Sequence, residues 1–159
     1  MIDVAMFFDE LERVLRAGGT RAERARKAAD AIRRAGGFHW VGLYDLTPTE
    51  ITVLAWTGAE APAFPRFPRD QGLNGAAVAT RETVVANDVA RDPRYLTTFG
   101  GTGAEMVVPV RDAAGVVVGT IDVESPHAGA FGPSEQAFVE RCAPALLPLW
   151  SGSMVSPAP

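Results

Sequence analysis

The stretch EMVVPVRDAAGVVVGTIDVE, from Glu105 to Glu124, decides how this chain folds. Two runs rich in β-branched residues flank the tetrapeptide DAAG, whose Asp and Gly favour a tight turn. The pattern predicts an antiparallel hairpin with strands at residues 105–111 and 116–124. Alternate side chains on a strand point to the same face, so Asp122 and Glu124 share one face.

A second hairpin is predicted upstream, at residues 38–57. Its first strand carries Trp40 and Tyr44 at same-face spacing, in a run where the hydrophobic period is two. The segment TPTE at 47–50 is typical of a turn, and residues 51–57 form the second predicted strand.

The segments between the two hairpins are shorter and richer in Gly and Pro. In chain order we predict an ordered loop at 58–71, a short helix at 72–81, a short strand at 84–89, a helical turn at 92–96, and a Gly/Thr loop at 97–103. The last loop has the composition of a mobile lid.

Helices are predicted at both ends of the chain. Residues 3–17 have apolar side chains at helical spacing. The sequence TRAE starting at Thr20 has the pattern of a capping box, so a second helix is expected from there to about Ala35. A last helix is predicted from Gly132 to about Trp150, interrupted or ended by its prolines.

These elements predict an α+β fold in which a central antiparallel β-sheet is flanked by N-terminal and C-terminal helices. We expect a single domain over residues 1–150, with the N-terminal helices at 3–35 included. Residues 151–159 contain three serines and two prolines and are predicted to be a flexible tail.

Composition excludes several classes of function. The chain has 159 residues, a net charge of −4 and one cysteine, Cys142. The negative charge disfavours a nucleic-acid partner. No apolar run approaches the ~20 residues of a spanning helix, and the N-terminus lacks a signal-peptide pattern, so we expect a cytoplasmic protein with no membrane partner. One cysteine cannot form a disulfide within the chain.

Five segments occur in an order typical of one domain family: FHWVGLY (38–44), GLNGAAVA (72–79), VANDV (85–89), EMVVPV (105–110) and GTIDVESP (119–126). Together these segments resemble the GAF domain, and they extend over about two thirds of the chain. The resemblance implies the same α+β architecture as the periodicity.

Within GAF domains, the sequence is most similar to the free methionine-(R)-sulfoxide reductases. That family uses cysteines at positions that correspond here to Asn74, to a residue near Val84 and, for the catalytic cysteine, to a residue near Thr98. None of these is cysteine, and Cys142 is expected to be a buried, inert thiol on the last helix. Since the reaction needs a thiolate, we predict that the reductase activity is absent.

The same resemblance implies a retained ligand site. The family's substrate-binding carboxylates correspond to Glu105, Asp122 and Glu124, and its aromatic wall to Trp40 and Tyr44. Three carboxylates beside aromatic rings favour a cation, such as the ammonium group of an amine or an amino acid. Asn74 and Thr98 complete the predicted ligand-binding set, listed as Trp40, Tyr44, Asn74, Thr98, Glu105, Asp122 and Glu124.

Structural alternatives remain open for these residues. The three acids fit equally a solvated strand face or ion pairs with Arg91, Arg94 and Arg111. Trp40 and Tyr44 fit a simple hydrophobic core, and Asn74 fits a helix cap ahead of Gly75.

Three classes of function follow from this reading. The first is a stand-alone GAF domain that senses an amine-like or amino-acid-like small molecule, without a catalytic residue, metal or cofactor. A homodimer formed through the terminal helices is what the family resemblance implies. The second is an enzyme that uses the carboxylates as acid and base. The third is a partner-binding protein whose pocket is filled by Trp40, Phe64 and Phe67.

Overall fold

The structure is a computed structural model in which residues 3–151 are described. Its helices are α1 (Val4–Arg16), α2 (Arg21–Gly36), α3 (Gly72–Thr80), α4 (Pro133–Leu146) and α5 (Pro148–Ser151). Its strands are β1 (Trp40–Leu46), β2 (Glu50–Thr57), β3 (Arg66–Pro68), β4 (Val84–Ala86), β5 (Ala104–Arg111) and β6 (Val117–Ser125).

The strands form one six-stranded antiparallel sheet in the order β3-β2-β1-β6-β5-β4. The predicted hairpin of β5 and β6 lies near its centre, and Glu105 pairs with Glu124 across the two strands. The turn closes at Gly115, whose φ of +81° is the left-handed region that glycine tolerates, and whose N–H donates to the carbonyl of Asp112. The predicted α+β class is confirmed.

One face of the sheet, called the helix face below, is covered by α1, α2 and α4. The capping box predicted for α2 is present: the side chain of Thr20 accepts from the N–H of Glu23, and Glu23 accepts from the N–H of Thr20. The small residues of α2 allow it to lie close to the strands. The apolar side chains that fill this layer include Leu11, Ile32, Val41, Leu43, Met106, Val108, Ile121, Val123 and Leu146.

The opposite face, called the pocket face below, is covered by α3 and by the loops around residues 58–65 and 92–103. Trp40 and Tyr44 lie on this face with Gly42 between them. A Cβ on Gly42 would come within 2.4 Å of the Trp40 ring and 3.0 Å of the Tyr44 ring. The glycine therefore allows the two aromatic rings to cover the strand between them.

Several predicted boundaries are wrong. The strand predicted at 84–89 ends at Ala86, because residues 89–91 form a turn of 3₁₀-helix. Residues 92–96 form a turn rather than a helical segment, closed by a hydrogen bond from the N–H of Tyr95 to the carbonyl of Asp92. The loop predicted at 58–71 contains β3, which pairs with β2 at the edge of the sheet.

The predicted last helix is two helices. Pro144 is accommodated inside α4, and the helix ends at Leu146, ahead of Pro148, which begins α5. Ser151 belongs to α5, and the remainder of the predicted tail, residues 152–159, lies outside the described residues. Among residues 3–151, no helix is both long enough and apolar enough to cross a membrane.

Candidate functional site

Three carboxylates lie together on the pocket face. Glu105 on β5 and Asp122 and Glu124 on β6 are exposed by only 2%, 1% and 0%. Each offers an oxygen atom, and these three oxygens lie within 4.8 Å of one another. Residues 105, 122 and 124 are called the carboxylate cluster below.

The strand pattern explains why these three side chains meet. Asp122 and Glu124 are two residues apart on β6, so both leave the same face of the sheet. The register of the hairpin pairs Glu105 directly with Glu124. The residues that alternate with them, Met106 and Val123, point to the helix face and are fully buried there.

Asn74 holds Asp122 in place. Its Nδ2 donates to Asp122 Oδ2 over 2.9 Å, and its Oδ1 accepts from the hydroxyl of Thr120 over 2.6 Å. The interpretation of Asn74 as a helix cap is wrong, because α3 begins at Gly72 and its cap residue is Gln71. The side chain points into the site instead of toward the helix end.

Thr98 connects the loop over the site to the floor of the site. Its hydroxyl donates to Glu124 Oε1 over 2.6 Å, and its carbonyl accepts from the N–H of Ala63 over 2.6 Å. Thr102 donates to Glu124 Oε2 over 3.3 Å. The sequence predicted Thr102 only as part of a mobile lid. No local sequence pattern indicated its contact with Glu124.

The cluster has no positively charged partner among the described residues, so both structural alternatives for the acids are wrong. Arg91 pairs with Asp88, Arg94 pairs with Asp92, and Arg111 donates to a backbone carbonyl. The acids are also buried and not solvated.

Three buried side-chain polar atoms within residues 3–151 lack a hydrogen-bond partner: Glu105 Oε2, Asp122 Oδ1 and the hydroxyl of Tyr95. The first two belong to the carboxylate cluster. The third belongs to Tyr95. Burial is the main cause that raises the pKa of Tyr95 to about 12, and the nearby charges of Glu124 and Glu105 add to the shift. Sequence reasoning missed Tyr95, which carries no motif. Unpaired buried polar atoms are costly, so their concentration at one place singles out this part of the pocket face.

Burial changes the protonation of the cluster. It raises the pKa of Glu105 well above its ordinary value, and the charges of Asp122 and Glu124 add to the shift. Burial also raises the pKa of Asp122 to about 6, against the opposing hydrogen bond that Asn74 donates. Burial and the charge of Asp122 raise the pKa of Glu124 to about 9. These shifts favour the protonated forms of Glu105 and Glu124 near neutral pH.

The protonation of the cluster bears on which cation the site would hold. Three carboxylates offer the oxygen ligands that hard divalent cations use. The raised pKa values of Glu105 and Glu124 favour their protonated forms, so a cation that bonds to all three ionised carboxylates would have to displace protons. The predicted absence of a metal stays a prediction.

A narrow cavity lies above Glu105 and Asp122. Its walls include Tyr44, Phe67 and Phe64, the last being 47% exposed at the rim. The space open to the centre of a water molecule is only about 10 Å³, which is room for about one water. The aromatic rim must therefore move before a larger molecule can enter.

The two aromatic residues predicted to bind the ligand, Trp40 and Tyr44, lie in different positions relative to the cavity. Tyr44 lines the cavity, and burial together with the nearby carboxylates raises the pKa of its hydroxyl well above the ordinary value. Trp40 does not line it. Its ring lies 5.8 Å from that of Phe99, and its Nε1 donates to the carbonyl of Glu60, so it packs beneath the adjoining loops. The prediction that Trp40 fills the pocket is therefore wrong, whereas Phe64 and Phe67 do line a cavity that has room for about one water.

Cys142 lies on the other side of the sheet. It belongs to α4, is fully buried in the helix-face core, and is the one cysteine of the chain. Burial raises the pKa of its thiol to about 12. A thiol in this state is protonated near neutral pH, as expected from its position on the last helix.

Comparison with known proteins identifies the family. The model of the GAF domain matches residues 20–146, which is most of the chain. The chain therefore belongs to the GAF domain family, whose members commonly bind small molecules with a regulatory role.

Sequence comparison also finds individual relatives of the chain. The chain is 27% identical over 125 residues to a protein of Zymomonas mobilis, with 79% of this chain and 74% of that protein covered. It is 29% identical over 108 residues to free methionine-R-sulfoxide reductase of Saccharomyces cerevisiae, with 66% of this chain covered. The chain spans 59% of the length of the yeast protein.

Among solved structures, the type II free methionine-R-sulfoxide reductase from Thermoplasma acidophilum is 30% identical to this chain. The TM-score is 0.75, with 82% of this chain and 94% of that chain covered. The resemblance to both the GAF domain and these reductases is thereby confirmed.

Proposed function

We propose that this GAF domain is a small-molecule-binding regulatory module whose pocket receives the cationic group of an amine or an amino acid. The observation that carries the proposal is the carboxylate cluster: three buried acids with two unpaired oxygens and no basic partner among the described residues. Unpaired buried oxygens gain most from a donor that brings a positive charge.

The aromatic rim supports the same class of ligand. The ring of Tyr44 lines the cavity beside Glu105 and Asp122. An ammonium group there would have acceptors on one side and an aromatic ring on the other, which is the arrangement that stabilises buried cations. The anionic phosphate of a cyclic nucleotide would meet the negative charge of the cluster and is disfavoured.

An amino acid has a second point of attachment available. Gly72, Leu73 and Asn74 line the cavity and form the first turn of α3. Within residues 3–151 no side chain caps this helix, and its first free N–H groups carry the positive end of the helix dipole. A ligand carboxylate at this end and its ammonium at the carboxylate cluster would both be satisfied.

The proposal includes the loss of sulfoxide reduction. The cysteine positions of the similar reductases are expected to correspond to Asn74 and to a residue near Thr98, and the side chains of Asn74 and Thr98 both form hydrogen bonds with the carboxylate cluster. Neither an amide nor a hydroxyl forms the sulfenic acid that the chemistry requires. Dimerisation through the terminal helices stays a prediction, to be checked by sedimentation.

A thermal-shift screen tests the proposal. The probes are L-methionine, methionine sulfoxide, putrescine, n-butylamine and a cyclic nucleotide, each added to the purified chain. A ligand at about 100 times its Kd adds about 2.7 kcal/mol, which raises the Tm by several degrees in a domain of this size. We expect a shift with an amine or amino acid and none with the cyclic nucleotide.

The double variant Asp122→Asn/Glu124→Gln is the matched test of the site. It keeps the shapes of both side chains and removes the charge, so the shift should disappear while the fold remains. Glu82→Gln, a change of an exposed acid, is the control that should keep the shift. Binding of the same ligand with unchanged affinity to the double variant would contradict the cation site.

A further inference from the structure

Glu105 and Asp122, the two acids at the floor of the cavity, each have one carboxylate oxygen to which no group donates a hydrogen bond. Asp122 is fixed by the amide of Asn74 at Oδ2, which leaves Oδ1 without a partner. Glu105 is held nearby on the paired strand and leaves Oε2 without a partner. Two ionised carboxylates present only acceptors to each other, so they can bond only when one of them carries a proton.

No surrounding group supplies the missing charge or donor. The titratable groups that face Glu105 and Asp122 from the packed elements are Tyr44 on β1, Glu124 on β6 and Tyr95 on the covering loop, with Asp92 near Glu105. Each of these is neutral or negative near pH 7. The walls of the cavity contain no Arg, Lys or His among the described residues.

We infer that the empty pocket holds one proton shared between Glu105 and Asp122, and that the cationic group of the ligand binds in exchange for this proton. The inference rests on the proposed function, because it concerns the same ligand. In the exchange one R–NH₃⁺ enters, its N–H groups bond to Glu105 and Asp122, and one H⁺ leaves for solvent. The charge of the pocket is the same before and after.

The protonation of the two acids supports this exchange. Burial and the neighbouring charges raise the pKa of Glu105 well above its ordinary value, whereas burial raises that of Asp122 only to about 6. At a pH between these two pKa values, Glu105 is therefore the donor and Asp122 the ionised acceptor. In that range the affinity for a cation should rise about tenfold per pH unit, because one proton is displaced for each ligand bound.

Infrared spectroscopy of the ligand-free chain detects the proton directly. A buried, protonated carboxylic acid has a carbonyl stretch separate from that of ionised carboxylates. We expect this band near neutral pH in the wild type and in Glu82→Gln, and a weaker band in Glu105→Gln, whose amide donates to Asp122 without a titratable proton. The band that remains there comes from Glu124.

Calorimetry then measures the exchange. The chain is titrated with n-butylamine and with L-methionine in phosphate and in Tris, two buffers with different heats of protonation. We expect heats that differ by the release of about one proton in the wild type, and equal heats in Glu105→Gln. The infrared band of Glu105 should disappear when the ligand is bound.

The outcomes separate the inference from the proposed function. The absence of the Glu105 band in the empty wild type would overturn the shared proton. Binding with equal heats in both buffers would overturn the exchange and leave the proposed function intact. Failure of every probe to bind, with the band present, would overturn the proposed function and the exchange with it, while the shared proton would stand.

Discussion

The two faces of the sheet use alternate residues of the same strands in opposite ways. On β6, Ile121 and Val123 point to the helix face and contribute to the main apolar core. Asp122 and Glu124, which alternate with them, point to the pocket face and are equally buried. Burial on the first face removes apolar surface from water, whereas burial on the second removes charge from water.

The difference indicates what each face contributes. The helix face contributes the largest apolar core, whereas the pocket face combines smaller apolar clusters with acids that repel one another and lack partners, which lowers the free energy of unfolding. The comparison therefore assigns a purely stabilising role to the helix face, and to the pocket face buried acids that lower stability.

The largest effect is expected on the helix face. Ile121→Ala removes a fully buried side chain and leaves a cavity beneath the helices, so we expect a loss of about 2–5 kcal/mol in the free energy of unfolding. Denaturation in urea measures this loss. The matched change on the pocket face is Asp122→Asn, one residue away, which should be neutral or stabilising because it removes a buried charge. A larger loss in Asp122→Asn than in Ile121→Ala would contradict the assignment of the two faces.

The second effect is the dependence of stability on pH. Unfolded Asp and Glu titrate near pH 4, whereas the folded pKa values of Asp122 and Glu124 are raised to about 6 and about 9. A raised pKa means that the folded chain binds protons more tightly than the unfolded chain. Stability from these groups is therefore greatest below about pH 4 and is lost as the pH rises toward 6 and then 9.

Thermal melts between about pH 5 and about pH 9 measure this slope. The double variant Asp122→Asn/Glu124→Gln should show a flatter dependence, since the groups that titrate in this range are removed. The pair of Asp92 and Arg94 does not interfere, because the hydrogen bond from Arg94 lowers the pKa of Asp92 and its contribution is lost only in more acidic solution. A wild-type curve as flat as that of the variant would show that folding does not raise the pKa values of Asp122 and Glu124.

Local sequence patterns were sufficient to predict the elements of the helix face and the strand face that the acids share. The capping box at Thr20, the turn before Gly115 and the spacing of Asp122 and Glu124 each depend on a few neighbouring residues, and the structure has them all. The hairpin register then brought Glu105 to Glu124 without any long-range information.

The covering side of the pocket could not be predicted in the same way. Whether Trp40 lines the cavity depends on where Phe99 and Glu60 pack, and these lie in loops far along the chain. Tyr95 reaches the site from a turn that the sequence indicated as helical. Such contacts come from tertiary packing and leave no periodic pattern.

A smaller effect is expected where the loop meets the pocket face. Thr98→Val keeps the shape of the side chain and removes the hydroxyl that donates to Glu124. We expect a loss of about 1 kcal/mol in the free energy of unfolding and a further rise in the pKa of Glu124, since a hydrogen bond that favours its ionised form is gone. Urea denaturation and the infrared titration of Glu124 measure the two effects. An unchanged titration would show that Thr98 does not hold the loop to Glu124.

The smallest effect is expected from the thiol, because it lies on the face opposite the site. Cys142 is fully buried against the helices and its thiol pKa is about 12, so native protein should resist alkylation and react only after unfolding. For the same reason, assays with free methionine sulfoxide and a thiol donor should give no turnover above the control without protein. Turnover that persists in Cys142→Ala would show that reduction proceeds on the pocket face without a cysteine. Turnover that is lost in this variant would show that Cys142 reaches the pocket, and the separation of the two faces would then fail.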